Sequence, residues 1–302
     1  MALKFPEIRV GEPLRHETLS VFPLFTKSTG GVEYRLSTEA LADETVVVEE
    51  VDETGSVPDL LVENKGETRV LFIEGEELVG AKQNRILNAS VLIPAKSKVK
   101  IPVSCVERGR WAYTSQQFQS SGSHSPSKLR YAMKSSVSAS LTTGRGHQSD
   151  QGAVWEQVDS LLCEHSVASP SAAMSQVFDD LEDRAGEYRE SLQYVEGATG
   201  VAVALGGKVV ALDLFDKPET CRKVWDRLLS GCVLEALQSG SDEKPADASD
   251  VHRLLNAAGK AEWEQVEPVG EGEEFRAAFS DDHASALSFE GSVLHESVVA
   301  AR

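Results

Sequence analysis

Between Glu74 and Asn88 the chain reads EGEELVGAKQNRILN, its densest run of hydrogen-bonding side chains. Glu76 and Glu77 follow a turn at Gly75, and Lys82, Gln83, Asn84 and Arg85 come consecutively. In extended backbone Lys82 and Asn84 face one way and Gln83 and Arg85 the other. Four long polar side chains within a sheet are costly unless partnered. Two readings follow: a charged hairpin in solvent, or a bonding array. In the array, carboxylates and amides read hydroxyls and a base while Lys82 or Arg85 takes a phosphate. A second cluster, IPVSCVERGRW from Ile101 to Trp111, sets Glu107, Arg110 and Trp111 just past a strand. Pro102 suits an edge or a bulge better than a central strand. Cys105 shares parity with Ile101 and Val103, which fits a small buried apolar residue better than a nucleophile. A tryptophan beside a guanidinium either stacks on a nucleobase or nicotinamide, or packs in the core with a salt bridge.

The elements around these clusters are mostly strands. Val46–Val51, Leu60–Glu63, Arg69–Ile73, Ser90–Ile93 and Lys98–Val106 are short apolar or β-branched runs between polar turns. They predict a sandwich or barrel-like sheet over residues 1–115. A short helix is expected at Ser37–Leu41, capped by Ser37 or Thr38. Residues 116–151 are rich in Ser, Gln and Gly and read as a polar loop or lid. From 152 to 302 helices and hairpins alternate. Val154, Val158, Leu161 and Leu162 form a helical stripe, and Ser169-Pro170 opens a helix running to about Gln193. Strands flank Gly206-Gly207. Further helices start at Asp216–Glu219 and Ser249, an acidic connection (SGSDEKPADAS) lies between them, and three strands close the chain. The fold class is therefore α+β, with the C-terminal part packed against the first as one unit.

Composition narrows the function. The net charge is −18, yet Lys82–Ser149 carries eleven cations and one acid, so the remainder carries −28. Either this belt pairs with acidic flanks of the same chain, or it forms a basic pocket for a small anion. Nucleic acid is a poor partner for so acidic a body. No apolar run approaches the roughly 20 residues of a membrane span. The N-terminus lacks a basic head followed by an apolar stretch, so a cytoplasmic protein is expected. The four cysteines are scattered without a zinc pattern, and no metal site is expected. Phosphate-loop, dinucleotide, zincin and nucleophile-elbow signatures are absent.

EGEELVGAKQNRILN followed by LIPAKSKVKIPVSCVERGRW resembles a bacterial family named for its association with ADP-ribosylglycohydrolases and rhodanese–phosphatase-superfamily proteins. LSVFPLF, GSVPDLLVEN, Val154-Trp155, GGKVVALDLFD, the Trp225 helix, VGEGEEFR and VLHES extend the likeness over about residues 8–299. The resemblance implies a neighbourhood of ADP-ribose and phosphate chemistry, which is an association only. It also implies an ADP-ribosylglycohydrolase-type or phosphatase-type partner. Matching polar positions are Glu76, Glu77, Lys82, Gln83, Asn84, Arg85, Asn88, Ser104, Glu107, Arg110 and Trp111, with Asp213, Arg276 and His295 later. The expectation is a protein that binds, or binds and processes, a phosphate-bearing nucleotide such as an ADP-ribose derivative. Lys82, Arg85 and Arg110 would hold phosphates, Trp111 would stack, and Glu77 or Glu107 would be the general base. The alternative is a non-catalytic sensor or partner-docking module. No cofactor is indicated. Asp213 and Arg276 are expected beside the Glu76–Arg85 array.

Overall fold

The apolar runs become strands in the computed structural model, which describes residues 6–27, 31–52, 56–240 and 244–302. The chain forms two compact units. One comprises Met1–Val32, Leu181–Val266 and Glu273–Arg302; the other comprises Glu33–Asp180 and Glu267–Gly272. The first unit opens with β1 (Arg9–Val10), β2 (Leu14–His16) and β3 (Leu19–Phe25). The second contains β4 (Tyr34–Leu36), α1 (Ser37–Ala42), β5 (Val46–Glu50), β6 (Asp59–Asn64), β7 (Arg69–Phe72) and β8 (Glu76–Gly80). It continues through β9 (Arg85–Leu87), β10 (Val91–Ile93), β11 (Ser97–Cys105), β12 (Phe118–His124), α2 (Ser127–Thr142), α3 (Gln151–Glu164) and α4 (Ser175–Asp180). The first unit resumes with α5 (Glu182–Ser191), β13 (Gly200–Leu205), β14 (Lys208–Phe215), α6 (Pro218–Ala236) and α7 (Ala248–Lys260). Strands β15 (Glu264–Val266), β16 (Glu273–Phe279), β17 (Asp282–Phe289) and β18 (Ser292–Val299) complete it. The fold is strand-rich α+β, and one of its sheets is a half-barrel. The acidic connection SGSDEKPADAS includes positions 241–243, which lie outside the described residues.

The first unit is built on a nine-stranded sheet of order β1-β3-β13-β14-β18-β17-β16-β15, with β2 also paired to β3. Strand β3 (LSVFPLF) is apolar but for Ser20, and neighbours pair with it on both sides. Phe22, Leu24, Ala202, Leu212, Leu214 and Val298 pack on one face with Val251, Leu254 and Ala258 of α7. Helix α7 starts where the Asp247 carboxylate accepts the Ser249 N–H at 2.8 Å. Helix α6, which begins with Pro218, packs on β3, β13 and β14, and its buried Trp225 donates to the Leu192 carbonyl at 2.7 Å.

In the second unit a six-stranded sheet (β12-β8-β9-β11-β6-β5) and a three-stranded sheet (β10-β7-β4) share one core. Val46, Val48, Leu60, Val62, Ile101, Val103, Leu78, Leu87 and Phe118 meet Phe72, Val91 and Ile93 there. Pro102 lies within the six-stranded sheet, not at an edge. Strand β11 pairs with β6 through Pro102 and with β9 from Val103 onward. The Pro102 carbonyl accepts the Asn88 N–H at 3.0 Å, so the proline's missing donor faces the place where the β9 pairing ends.

Three local expectations need correction. Helix α1 is not capped by its own Ser37 or Thr38: the Leu36 N–H donates to Glu39 at 3.1 Å, while the Ser37 hydroxyl is drawn to Glu76. The polar stretch 116–151 is not a loop, because it contains β12 and α2. Strand β12 is an edge strand with a bulge between Ser120 and His124, and its outward Ser and Gln hide an ordinary pairing with β8. In α2, Leu129, Met133 and Val137 form an i, i+4, i+8 buried stripe among serines. The helix expected from Ser169-Pro170 starts only at Ser175 and breaks at Leu181, giving α4 and α5. Residues before it lie against the end of β11, with Ala173 bridged to Glu107 and the Met174 N–H donating to the Val106 carbonyl at 2.9 Å.

Candidate functional site

The EGEELVGAKQNRILN segment folds as β8 and β9 around a tight link. Gly75 sits at φ +84°, where a side chain would be strained and would meet His124, so the turn before β8 requires glycine. Ala81 at φ +37° breaks the strand alternation. The expected parity therefore fails. Lys82, Gln83 and Arg85 converge on one side, and Asn84 turns to the other, toward Glu107, Arg110 and Ser175. The solvent-hairpin alternative also fails, since Lys82 is 8% and Arg85 0% exposed.

Arg85 faces the core side of the six-stranded sheet, opposite Leu78 in the pairing and level with Cys105. Its Nη1 donates to the Gln83 carbonyl at 3.0 Å and the Gln83 side chain at 3.1 Å. Its Nη2 is 3.7 Å from Glu50 Oε1, and neither Nη2 nor Nε has a hydrogen-bond acceptor. Glu50 Oε1 accepts the Lys82 N–H at 3.4 Å, and Glu50 Oε2 has no donor. Burial pulls the Arg85 pKa down while Cys105 and Glu50 pull it up. Burial pushes the Cys105 thiol up, against the pull of Arg85. Over this floor stand two half-exposed rings. Lys82 Nζ lies 5.2 Å from the Trp111 ring centre and 5.1 Å from that of Tyr113, and the Arg85 guanidinium is 5.8 Å from Trp111. Glu50 and Tyr113 escaped the sequence reading. The signal for Glu50 was its inward parity with Val46 and Val48.

Glu107 and Arg110 form a closed clamp. Glu107 accepts from Arg110 Nε at 2.8 Å and Nη2 at 2.6 Å, from the Ser171 hydroxyl at 2.7 Å and from the Asn84 N–H at 3.1 Å. Arg110 also donates to the carbonyls of Ala81, Ala112 and Gly80, to Thr114 and to Asn84. Gly109 makes the approach feasible: its N–H donates to the Ser171 carbonyl at 2.7 Å, and an added Cβ would crowd the Ser171 backbone. Burial alone would raise the Glu107 pKa, but its hydrogen bonds outweigh that and hold it below the usual range. The nitrogens of Arg110 and the carboxylate of Glu107 are thus spent on tying the loop that carries Trp111 to the β8–β9 link and to Ser171.

Other sequence candidates have other partners. Glu77 points to the sheet face opposite Arg85, beside Ile86 in the pairing. Burial pushes its carboxyl up to about 8, Asp179 and Glu107 add to this, and the Ser121 hydroxyl works against it. Glu76 accepts from Ser37 at 2.6 Å, and neighbouring Glu74 pairs with buried Lys134 at 2.6 Å. The Ser104 hydroxyl donates to Asn88 at 2.6 Å and meets that of Ser149, while Asn88 donates to the His147 carbonyl at 3.0 Å. The Gln151 side chain then pairs with both backbone groups of Cys105, at 2.8 and 2.9 Å. Asn88 and Ser104 thus fasten the segment that leads into α3.

Asp213, Arg276 and His295 belong to the unit of the nine-stranded sheet, whereas Glu76–Trp111 belongs to the other. The three share one buried sheet face. The pairings Asp213–Ser297, Ser297–Ser285 and Ser285–Arg276 set a polar row across four strands. His295 contacts Asp213 at 3.1 Å and stacks on Phe215 at 4.9 Å, and Arg276 donates to Glu274 at 2.8 Å.

The basic belt is largely paired. Among described residues, Arg85, Lys96, Lys98, Arg108, Arg110, Lys128 and Lys134 each lie within salt-bridge distance of an acid. Among the described residues no group of three or more His, Cys, Asp or Glu is placed to hold a metal ion, and no helix is long and apolar enough to cross a membrane.

No curated protein and no solved structure matches this chain. A family model does match, over residues 7–299, and through it the strand-borne EGEELVGAKQNR and PVSCVERGRW segments acquire a kinship: the chain belongs to the family of the ARG and Rhodanese-Phosphatase-superfamily-associated Protein domain.

Proposed function

We propose that the second unit binds a phosphate-bearing nucleotide, such as an ADP-ribose derivative, at the group formed by Lys82, Gln83, Arg85, Trp111 and Tyr113. The observation that carries this reading is the buried Arg85, with two donor nitrogens lacking acceptors, beneath a lysine set between two half-exposed aromatic rings. Lys82 supplies a point charge for phosphate, and the rings supply stacking faces for a base.

Binding without turnover, the sensor or docking role, is favoured over catalysis by one feature. Glu107 is saturated by the clamp, and Glu77 faces the other side of the sheet from Arg85. The family association makes an ADP-ribosylglycohydrolase-type or phosphatase-type protein the partner to which such a module would report. The test is calorimetry with ADP-ribose, combined with chromatography for products. ADP-ribose at about 100 times its dissociation constant should stabilise the fold by roughly 2.7 kcal/mol. Lys82→Ala and Trp111→Ala should each weaken binding tenfold or more. Absence of binding, or binding untouched by both substitutions, overturns the reading; product formation favours the enzyme.

A further inference from the structure

We infer that the Arg85–Glu50 pair reads the hydrogen-bonding edge of the nucleotide's base, leaving the phosphate to Lys82. The inference rests on the nucleotide reading above and assigns its specificity. Both side chains are buried, at 0% and 3% exposure, and their nearest atoms are 3.7 Å apart, too far for a hydrogen bond. Arg85 Nε and Nη2 lack acceptors, and Glu50 Oε2 lacks a donor. Buried polar groups left unpaired carry a substantial penalty. What satisfies both at once is a group presenting an acceptor beside an N–H donor. Adenine, guanine and cytosine do this with a ring nitrogen or carbonyl next to an amino or ring N–H, and uracil does it with a carbonyl next to its ring N–H.

Charge excludes the alternative occupant. Arg85 and Glu50 together are neutral, so a phosphate dianion bound to Arg85 would be held against a carboxylate at a buried place. A neutral base edge adds no charge. Trp111 covers the guanidinium from the solvent side and is 47% exposed. Turning its side chain costs little packing, uncovers Arg85 and offers the entering ring a stacking partner. Lys82, between Trp111 and Tyr113, then stands where the phosphate emerges.

The experiment measures the affinity of the intact chain for the four common ribonucleoside 5′-monophosphates and for ribose 5-phosphate, by calorimetry. At least one nucleotide should bind tenfold or more tightly than ribose 5-phosphate. In Glu50→Gln that preference should fall to threefold or less. Arg85→Lys, which keeps the charge but loses the guanidinium fork, should do the same and decides the matter if Glu50→Gln fails to fold. If ribose 5-phosphate binds as tightly as every nucleotide, or if the preference survives both substitutions, this inference falls while the nucleotide reading stands. If none of the five compounds binds, both fall.

Discussion

Two arginine–glutamate pairs lie close together in the second unit and are put to opposite uses. In the Glu107–Arg110 pair every donor of the arginine finds an acceptor, and the carboxylate accepts four hydrogen bonds. In the Glu50–Arg85 pair the partners stand 3.7 Å apart and retain unmatched atoms on both sides. Saturation makes the first a rivet. The second keeps recognition capacity in a place where polar groups are expensive to leave unpaired. The lesson is that both pairs join the same two residue types, and the completeness of their hydrogen bonding separates a scaffold from a site.

The largest expected effect would break the rivet. Glu107→Ala leaves the partly buried Arg110 without its carboxylate and should cost about 3 kcal/mol in urea unfolding, the low end for a buried pair. A loss below about 1 kcal/mol would mean that the clamp does not hold the Trp111 loop. Glu77 comes next, because its protonation separates the two faces of the same sheet. Its folded pKa of about 8 lies above the ordinary 4.5, so the folded state holds the proton more tightly than the unfolded chain. That contribution is fully present below about pH 4.5 and is lost as pH rises toward 8. The slope is at most about −1.4 kcal/mol per pH unit. Glu77→Gln should flatten the stability profile across this window, and urea midpoints measured at several pH values would reveal a slope that persists.

Cys105 probes the floor beside Arg85. Cys105→Ser exchanges a buried thiol for a hydroxyl that must be desolvated and should cost about 1–3 kcal/mol. The native thiol should react with a labelling reagent far more slowly than the exposed Cys163. Equal labelling rates would show that the floor is open. The smallest effect belongs to the rings. Trp111→Ala should change stability by less than about 1 kcal/mol, since the lost cation–π contacts lie near the surface. A Tm that collapses in this variant would make Trp111 part of the scaffold and remove the contrast between the two pairs.

Much of the second unit was readable along the chain. Val46–Glu50, Asp59–Asn64, Arg69–Phe72, Val91–Ile93 and Ser97–Cys105 are strands where short apolar runs predicted them, because burial of one or both faces imprints itself on each segment. Strand β12 and helix α2 were hidden by serine and glutamine, whose composition masks Phe118 and the Leu129–Met133–Val137 stripe. The polar cluster at Lys82–Arg85 was visible, but its facing was not. A single residue at positive φ, Ala81, reverses the parity that an extended chain would impose.

The sequence by itself determined the α+β class, the Gly206-Gly207 hairpin, the proline-started helix at Pro218 and the family membership, all of which depend on residues near one another in the chain. Only the tertiary structure decided that Leu19–Leu24 pairs with Gly200–Leu205, that Glu50 rather than Glu76 approaches Arg85, and that Glu107 belongs to Arg110 and Ser171. The reason is physical. Local periodicity records which side of an element is buried, whereas the identity of a partner across a sheet depends on register between segments distant in sequence, and no single segment carries that information.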